Sequence, residues 1–175
     1  MIDYTGLRAL GRLIHRFEPQ LAQGTLSVMA HDRREEVIKE LLAGLSEASP
    51  DAKIAVENSS GEYASHLAVL NVGGNKYTFA KDFREVYISE INYYSCRITP
   101  DSYGILVYHH DYPGVVHDVS RILADHQINI SKLNVSREQK GKNALLVSLT
   151  DEEITAETVK LIEQLPQVTK AISLR

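Results

Sequence analysis

Apolar residues fall into two rhythms along this chain, strand-like alternation and a helical repeat, and their clearest succession runs from Gly104 to Leu174. A short apolar strand from Gly104 enters a polar turn carrying Pro113 and Gly114, then an amphipathic helix whose Val115, Val119, Ile122 and Leu123 share one face. A second β-branched strand begins at Ile128-Asn129-Ile130 and runs to Ser136. Arg137 to Asn143 is a polar turn containing Gly141, and Ala144 to Leu149 returns with Leu145, Val147 and Leu149 on one side. Thr155 to Leu165 reads as a helix with Val159 and Ile162 inward, ended by Pro166. Val168, Lys170, Ile172 and Leu174 then alternate as a last strand. The order βαββαβ predicts four antiparallel strands with two helices on one face, the ferredoxin-like arrangement.

Upstream the pattern predicts a mixed α/β layer. Asp3 or Thr5 caps a helix to about Phe17, with Leu7, Leu10, Leu13, Ile14 and Phe17 along one stripe. Thr25 to Ala30 reads as a strand. Asp32 reads as the N-cap of a helix from Arg33 to Leu45, with Val37, Ile38, Leu41, Leu42 and Leu45 inward. Ser49-Pro50-Asp51 precedes a strand at Lys53 to Val56, and Ser59-Ser60-Gly61 reads as a hairpin turn into a strand from His66 to Val72. Two β segments follow, Lys76 to Ala80 and Val86 to Asn92. Between Val72 and Lys76, Gly73-Gly74 supplies positive φ, so a tight bend is the bland reading and outweighs the sharper one, a ligand loop of Gly73, Gly74 and Asn75. The spaced glycines and Lys-Ser/Thr pair of a phosphate loop are missing. The expected fold class is α+β: a mixed α/β domain over residues 1–100, then the βαββαβ domain over 101–175, joined near Thr99-Pro100-Asp101.

Composition narrows the function classes. The 175 residues are 43% hydrophobic and 24% charged, an ordinary globular balance. No apolar run approaches the ~18 residues of a membrane span, and the start MIDYTGLRAL lacks a signal peptide's basic and apolar regions, so no membrane and a cytoplasmic location are expected. Net charge is −4 and the longest basic block is Arg33-Arg34, which speaks against nucleic acid as a partner. A single Cys96 excludes an intrachain disulfide and any cluster held by this chain's own thiolates; its bland reading is a small buried side chain in a strand. The seven histidines, His15, His31, His66, His109, His110, His117 and His126, form no metal signature. His109 and His110 are neighbours on a strand and point to opposite faces. No Gly-x-Ser-x-Gly elbow is present, and Asp151-Glu152-Glu153 most simply favours the N-terminal end of the helix that follows. No catalytic and no metal-binding residue is expected.

The run His109-His110-Asp111-Tyr112-Pro113-Gly114, with Asn129 fifteen residues after Gly114 in an Ile-Asn-Ile strand, resembles the ACT domain, a small amino-acid-sensing module. In ACT domains that bind serine on a biosynthetic dehydrogenase, a His and an Asn before the Pro-Gly and an Asn in the second strand hold the ligand. The resemblance places that His on His109 and the second-strand Asn on Asn129, while Asp111, an acceptor only, stands where the first Asn would be.

Val72-Gly73-Gly74-Asn75, Glu90-Ile91-Asn92, the loop from His109 to Gly114 and the Lys140 to Leu145 turn together resemble the β chain of the iron–sulfur-dependent L-serine dehydratases, a gluconeogenic lyase family. That resemblance runs from about Leu70 to Arg175; upstream it rests on Thr5 to Arg12 and on Leu41 to Leu45. The family's Ser-Ser-Ser-His-Thr stretch is replaced here by Asp3-Tyr4-Thr5. What the resemblance implies is a regulatory or structural β chain, not catalytic alone, with no cofactor of its own and a 4Fe-4S cluster on a cysteine-rich α-chain partner. The alternative is a free-standing amino-acid-binding ACT protein.

The residues themselves suggest how such a module would bind. The N–H groups around Pro113, Gly114, Val115 and Val116, at a helix start, can receive a carboxylate. Pro113 has no N–H but sets φ for that start. Asp111 and the Asn129 carbonyl can hold an ammonium, and His109 can donate to a hydroxyl or carboxylate. The rival reading is structural: Asp111 caps the helix, Asn129 satisfies a neighbouring backbone group and His109 fills the sheet surface. Residue types alone weigh the two equally, and the ACT resemblance favours the ligand site, with L-serine first among small amino acids. Exposed sheet edges and the habit of ACT domains to pair imply a homodimer with allosteric effector sites at or near the interface.

Overall fold

The structure, a computed structural model, describes residues 2–59 and 65–175 of the chain. It divides into two compact units, the first ending at Asp101 and the second beginning at Ser102. Among the described residues there are ten strands and four helices.

The first unit comprises α1 (Gly6–Phe17), β1 (Gln23–Val28), α2 (Arg34–Ala48), β2 (Lys53–Asn58), β3 (His66–Val72), β4 (Asn75–Lys81), β5 (Val86–Ile91) and β6 (Tyr94–Ile98). Its sheet has the order β2-β1-β3-β4-β5-β6. Only β1 and β2 run parallel, because α2 carries the chain back as a crossover between them. Leu26, Leu70, Tyr77 and Ile91 form one buried row across β1, β3, β4 and β5. Phe17 stacks on Tyr77 with ring centroids 5.8 Å apart, which sets the α1 stripe of Leu7, Leu10, Ile14 and Phe17 on that face. The two helices meet backbone to backbone. A Cβ on Gly11 would lie 2.8 Å from the Leu41 carbonyl, and one on Gly44 would overlap the Arg8 carbonyl. Gly11 and Gly44 belong to the two upstream stretches picked out in the sequence, so those stretches encode a helix contact.

Two expectations need correction here. Asp32 does not cap α2: the N-cap is Arg33, in the left-handed region at φ 56° and with no side-chain cap bond. Ser60 and Gly61 of the expected hairpin turn lie outside the described residues, but β2 and β3 are not hairpin partners, since β1 separates them in the sheet. The parallel crossover puts β2 on one side of β1, and the returning chain takes the other side.

The second unit comprises β7 (Tyr103–His110), α3 (Val115–Asp125), β8 (Ile130–Arg137), β9 (Asn143–Thr150), α4 (Ala156–Glu163) and β10 (Val168–Ser173). Its four antiparallel strands have the order β10-β7-β9-β8, which is the ferredoxin-like topology. Val115, Val119 and Leu123 of α3 and Ile162 of α4 pack on Ile105, Val107, Leu146 and Ala171. The core under the helices thus takes Leu146 from β9 rather than Leu145, Val147 and Leu149, and from β10 takes Ala171 together with the partly buried Val168, the register shifting between Val168 and Lys170. Strand β9 is central and buried on both faces, so alternation alone could not say which face meets the helices. The cap of α4 is Thr155, whose Oγ1 accepts from Thr158 N–H, so Asp151 to Glu153 stand outside that helix start.

Strand β9 also measures the distance between the two ends of this unit. His109 pairs with Ala144 and Ile130 with Thr150. Those partners are six residues apart on β9, which is about 20 Å of strand.

Candidate functional site

His109, Asp111, Pro113, Gly114 and Val115 come together in the β7–α3 turn. His109 is the last helix-facing residue of β7 and is 1% exposed, while His110 beside it is exposed. The His109 Nδ1 lies 2.9 Å from the His110 carbonyl, which can only accept, so Nδ1 carries the proton. In the neutral ring Nε2 is then an acceptor rather than the donor expected from the sequence. It is buried and has no hydrogen-bond partner; among the described residues the other such side-chain atom is Ser148 Oγ. Tyr112 stands edge-on to the His109 ring at 6.4 Å and donates its hydroxyl to Asp118 at 3.3 Å.

The turn is completed by Gly114, the N-cap of α3, at φ +99°. A Cβ there would meet nothing within 4 Å, so the backbone angle and not crowding requires glycine. As at any helix start, the first N–H groups, those of Val115, Val116 and His117, have no intrahelical acceptor. No side chain caps them, so the rival reading of Asp111 as the cap is corrected. Asp111 Oδ2 instead accepts from Arg137 Nη1 at 2.8 Å and from Gly141 N–H at 3.0 Å, and its own N–H donates to the Lys142 carbonyl at 2.7 Å. The Gly141 N–H, and after it the Arg137 guanidinium, hold its carboxyl below the usual value. Arg137, Lys140 and Lys142 carry three positive charges at this end of the unit, against the carboxylates of Asp111 and Glu138.

Asn129 is not part of that turn within one chain. It precedes β8, at the other end of β9 from His109. Its Nδ2 donates to Asp151 Oδ2 at 2.7 Å, its backbone N–H to Glu152 Oε1 at 2.7 Å, and the Asp151 N–H to the Asn129 carbonyl at 3.0 Å. Asn129 therefore meets an acidic loop rather than the backbone group of the rival reading. Asp151 and Glu152 went unmarked as site residues, although an antiparallel β8–β9 hairpin necessarily sets the residue before its first arm beside those after its second.

In the first unit, Gly73 and Gly74, at φ +58° and +79°, form the two-residue turn between β3 and β4, as a pair of left-handed residues does in a tight hairpin. Asn75 Nδ2 and the Tyr77 hydroxyl both donate to Glu18 Oε1, at 2.7 and 2.8 Å. Asn92 Nδ2 donates to Asn75 Oδ1 at 3.1 Å, and Lys76 N–H to Asn92 Oδ1 at 2.9 Å. The Gly73-Gly74-Asn75 and Glu90-Ile91-Asn92 stretches, separate in the sequence, thus meet through Asn75 and Asn92, and Asn75 joins them to Glu18.

The chain's own side chains do not fit an iron–sulfur cluster. Cys96 is its one thiol, and burial pushes it up to about 12, far from a thiolate ligand. Among the described residues no group of three or more His, Cys, Asp or Glu is placed to hold a metal ion. No helix among them is long and apolar enough to cross a membrane.

Comparison with known proteins agrees with the fold of the second unit. The ACT domain family model matches residues 103–167. A probable L-serine dehydratase β chain of Bacillus subtilis (strain 168) is 30% identical over 122 residues, covering 68% of this chain and 50% of that protein. D-3-phosphoglycerate dehydrogenase of the same organism is 26% identical over 155 residues, 85% of this chain and 29% of the dehydrogenase. A chloroplastic D-3-phosphoglycerate dehydrogenase 3 of Arabidopsis thaliana is 27% identical over 88 residues, 50% of this chain and 15% of that protein. The chain spans half the length of the dehydratase β chain and less than a third of the dehydrogenases. Residues 103–167 are an ACT domain, and the chain is an ACT-domain protein that resembles the β chain of L-serine dehydratase.

Proposed function

We propose that the second unit binds a small α-amino acid, L-serine first among them, and does so as a homodimer serving an L-serine dehydratase whose cluster and catalytic groups sit on a separate, cysteine-rich chain. The observation that carries this reading is His109, whose buried Nε2 lacks a partner in the turn that opens α3. Burying such an atom without a partner costs free energy, and a ligand hydroxyl reaching it removes that cost. The helix start offers N–H donors to the ligand carboxylate. Asn129 offers its side-chain Oδ1 to the ammonium.

A second copy completes the site. No small amino acid spans the ~20 Å between the His109 and Asn129 ends of one chain. Strand β8 is a sheet edge, and its Leu133 and Val135 are 38% and 42% exposed. Antiparallel pairing of β8 with the same strand of a second copy buries those side chains and brings Asn129 of the partner subunit beside Arg137, at the basic end. The acidic Asn129 loop of each copy then faces the basic turn of the other.

Isothermal titration of the purified chain with L-serine, then with the other amino acids, tests this reading, with light scattering before and after. Saturable binding by a dimer, lost in Asn129→Ala with the fold intact, is the expected result; a monomer that binds none of them overturns it. A second reading, a regulatory module with no dehydratase partner, is favoured by one observation: the alignment to part of a D-3-phosphoglycerate dehydrogenase covers 85% of this chain. Co-purification of a chain carrying several cysteines separates the first reading from the second.

A further inference from the structure

We infer that Asp151 is a positioning residue for effector recognition, one that turns the Asn129 amide so that its carbonyl oxygen alone meets an ammonium group; the inference rests on the effector reading above. The argument is one of donors and acceptors. An ionised carboxylate only accepts, so the Asn129 amide must present Nδ2 to Asp151 Oδ2, 2.7 Å away, and this directs Oδ1 elsewhere. The arrangement is held from several sides. Glu152 Oε1 accepts from the Asn129 N–H, the Asp151 N–H donates to the Asn129 backbone carbonyl, and Thr150 Oγ1 donates to the Glu152 carbonyl at 2.8 Å. The register that pairs Ile130 with Thr150 is what brings these residues together.

An acceptor with Asp151, Glu152 and Glu153 on the adjoining loop attracts a cation and repels a carboxylate. This end of the site is therefore the one that distinguishes an amino acid from the hydroxy acid with the same side chain. The carboxylate common to both ligands is left to the N–H groups at the start of α3. Without a carboxylate at position 151 the Asn129 amide is free to turn over, and its Nδ2 then serves a hydroxyl as readily as its Oδ1 serves an ammonium.

The test is isothermal titration of the full chain with L-serine and with glycerate, its α-hydroxy counterpart, on wild type, Asp151→Asn and Asp151→Glu, with L-alanine and L-lactate as a second pair. Wild type favours the amino acid. Asp151→Asn, which offers Asn129 either a donor or an acceptor, lowers that preference about tenfold at unchanged melting temperature, and Asp151→Glu restores it. An Asp151→Asn chain that keeps the wild-type ratio overturns this inference alone, as does equal weakening of both ligands with a lowered melting temperature, the mark of a purely structural clasp. A wild-type chain that binds neither ligand of either pair, nor any other amino acid, overturns the effector reading and this inference with it.

Discussion

Asp111 and Arg137 meet at 2.8 Å and fasten the β7–α3 turn to the β8–β9 hairpin. The Gly141 N–H and Arg137 hold the Asp111 carboxyl below its ordinary value of 3.8. A carboxyl lowered in the folded state stabilises it above the unfolded value, and that contribution fades as the pH falls through the folded one. Asp111→Ala and Arg137→Ala should therefore both speed amide exchange at Gly141, read by hydrogen exchange near neutral pH, and the difference from wild type should shrink in acid.

Asp82 makes a second and sharper acid response. The backbone N–H groups of Arg84 and Glu85, and then Arg97, lower it to about 2. Its stabilisation is complete above the unfolded value of 3.8 and is lost as the pH falls toward about 2. Asp82→Asn should be less stable than wild type at pH 7, with a smaller loss of melting temperature between pH 4 and pH 2.

Gly44→Ala drives a methyl group into the Arg8 backbone, where neither helix can yield without moving. Overpacking of this kind should cost ~1–3 kcal/mol in chemical denaturation. Gly74→Ala meets no neighbour but must hold φ +79°, so about 1–2 kcal/mol is expected, with Gly74→Asn milder.

Leu133→Lys places a charge in the middle of the β8 edge without touching the β7–α3 turn. If β8 pairs with its copy, light scattering at micromolar concentration should show half the wild-type mass, and L-serine binding should weaken with it. A dimer undisturbed by Leu133→Lys and Val135→Lys would place the interface elsewhere.

Cys96 should resist thiol reagents in the native chain, because its thiol, pushed up to about 12, is essentially un-ionised at pH 8 and Ile88 O is its hydrogen-bond partner. Labelling followed by mass spectrometry should detect modification only once denaturant has opened the first unit.

Local periodicity carried much of the fold. The Val115, Val119 and Leu123 stripe and the two halves of the β8–β9 hairpin stand where alternation and helical spacing placed them. What escaped was non-local or two-sided. Strand β9 is apolar on both faces, so nothing in it chose Leu146 over Leu145 for the core under the helices. Glu18 collects Asn75 and Tyr77 from 57 and 59 residues away, beyond the reach of any spacing rule. Of the candidate site, the turn from His109 to Val115 was legible because Pro and Gly mark it. The separation of Asn129 from that turn follows from strand order, and residue types do not encode it.

The placement of His109 and Asn129 at opposite ends of β9 also bears on how a response would scale with the amount of protein. If two chains share each site, as proposed, a two-fold pair carries two sites and a lone chain carries none. Apparent affinity for the effector then falls on dilution, and the effector in turn tightens the pair by mass action. Such a module reads the abundance of its own chain together with that of the amino acid.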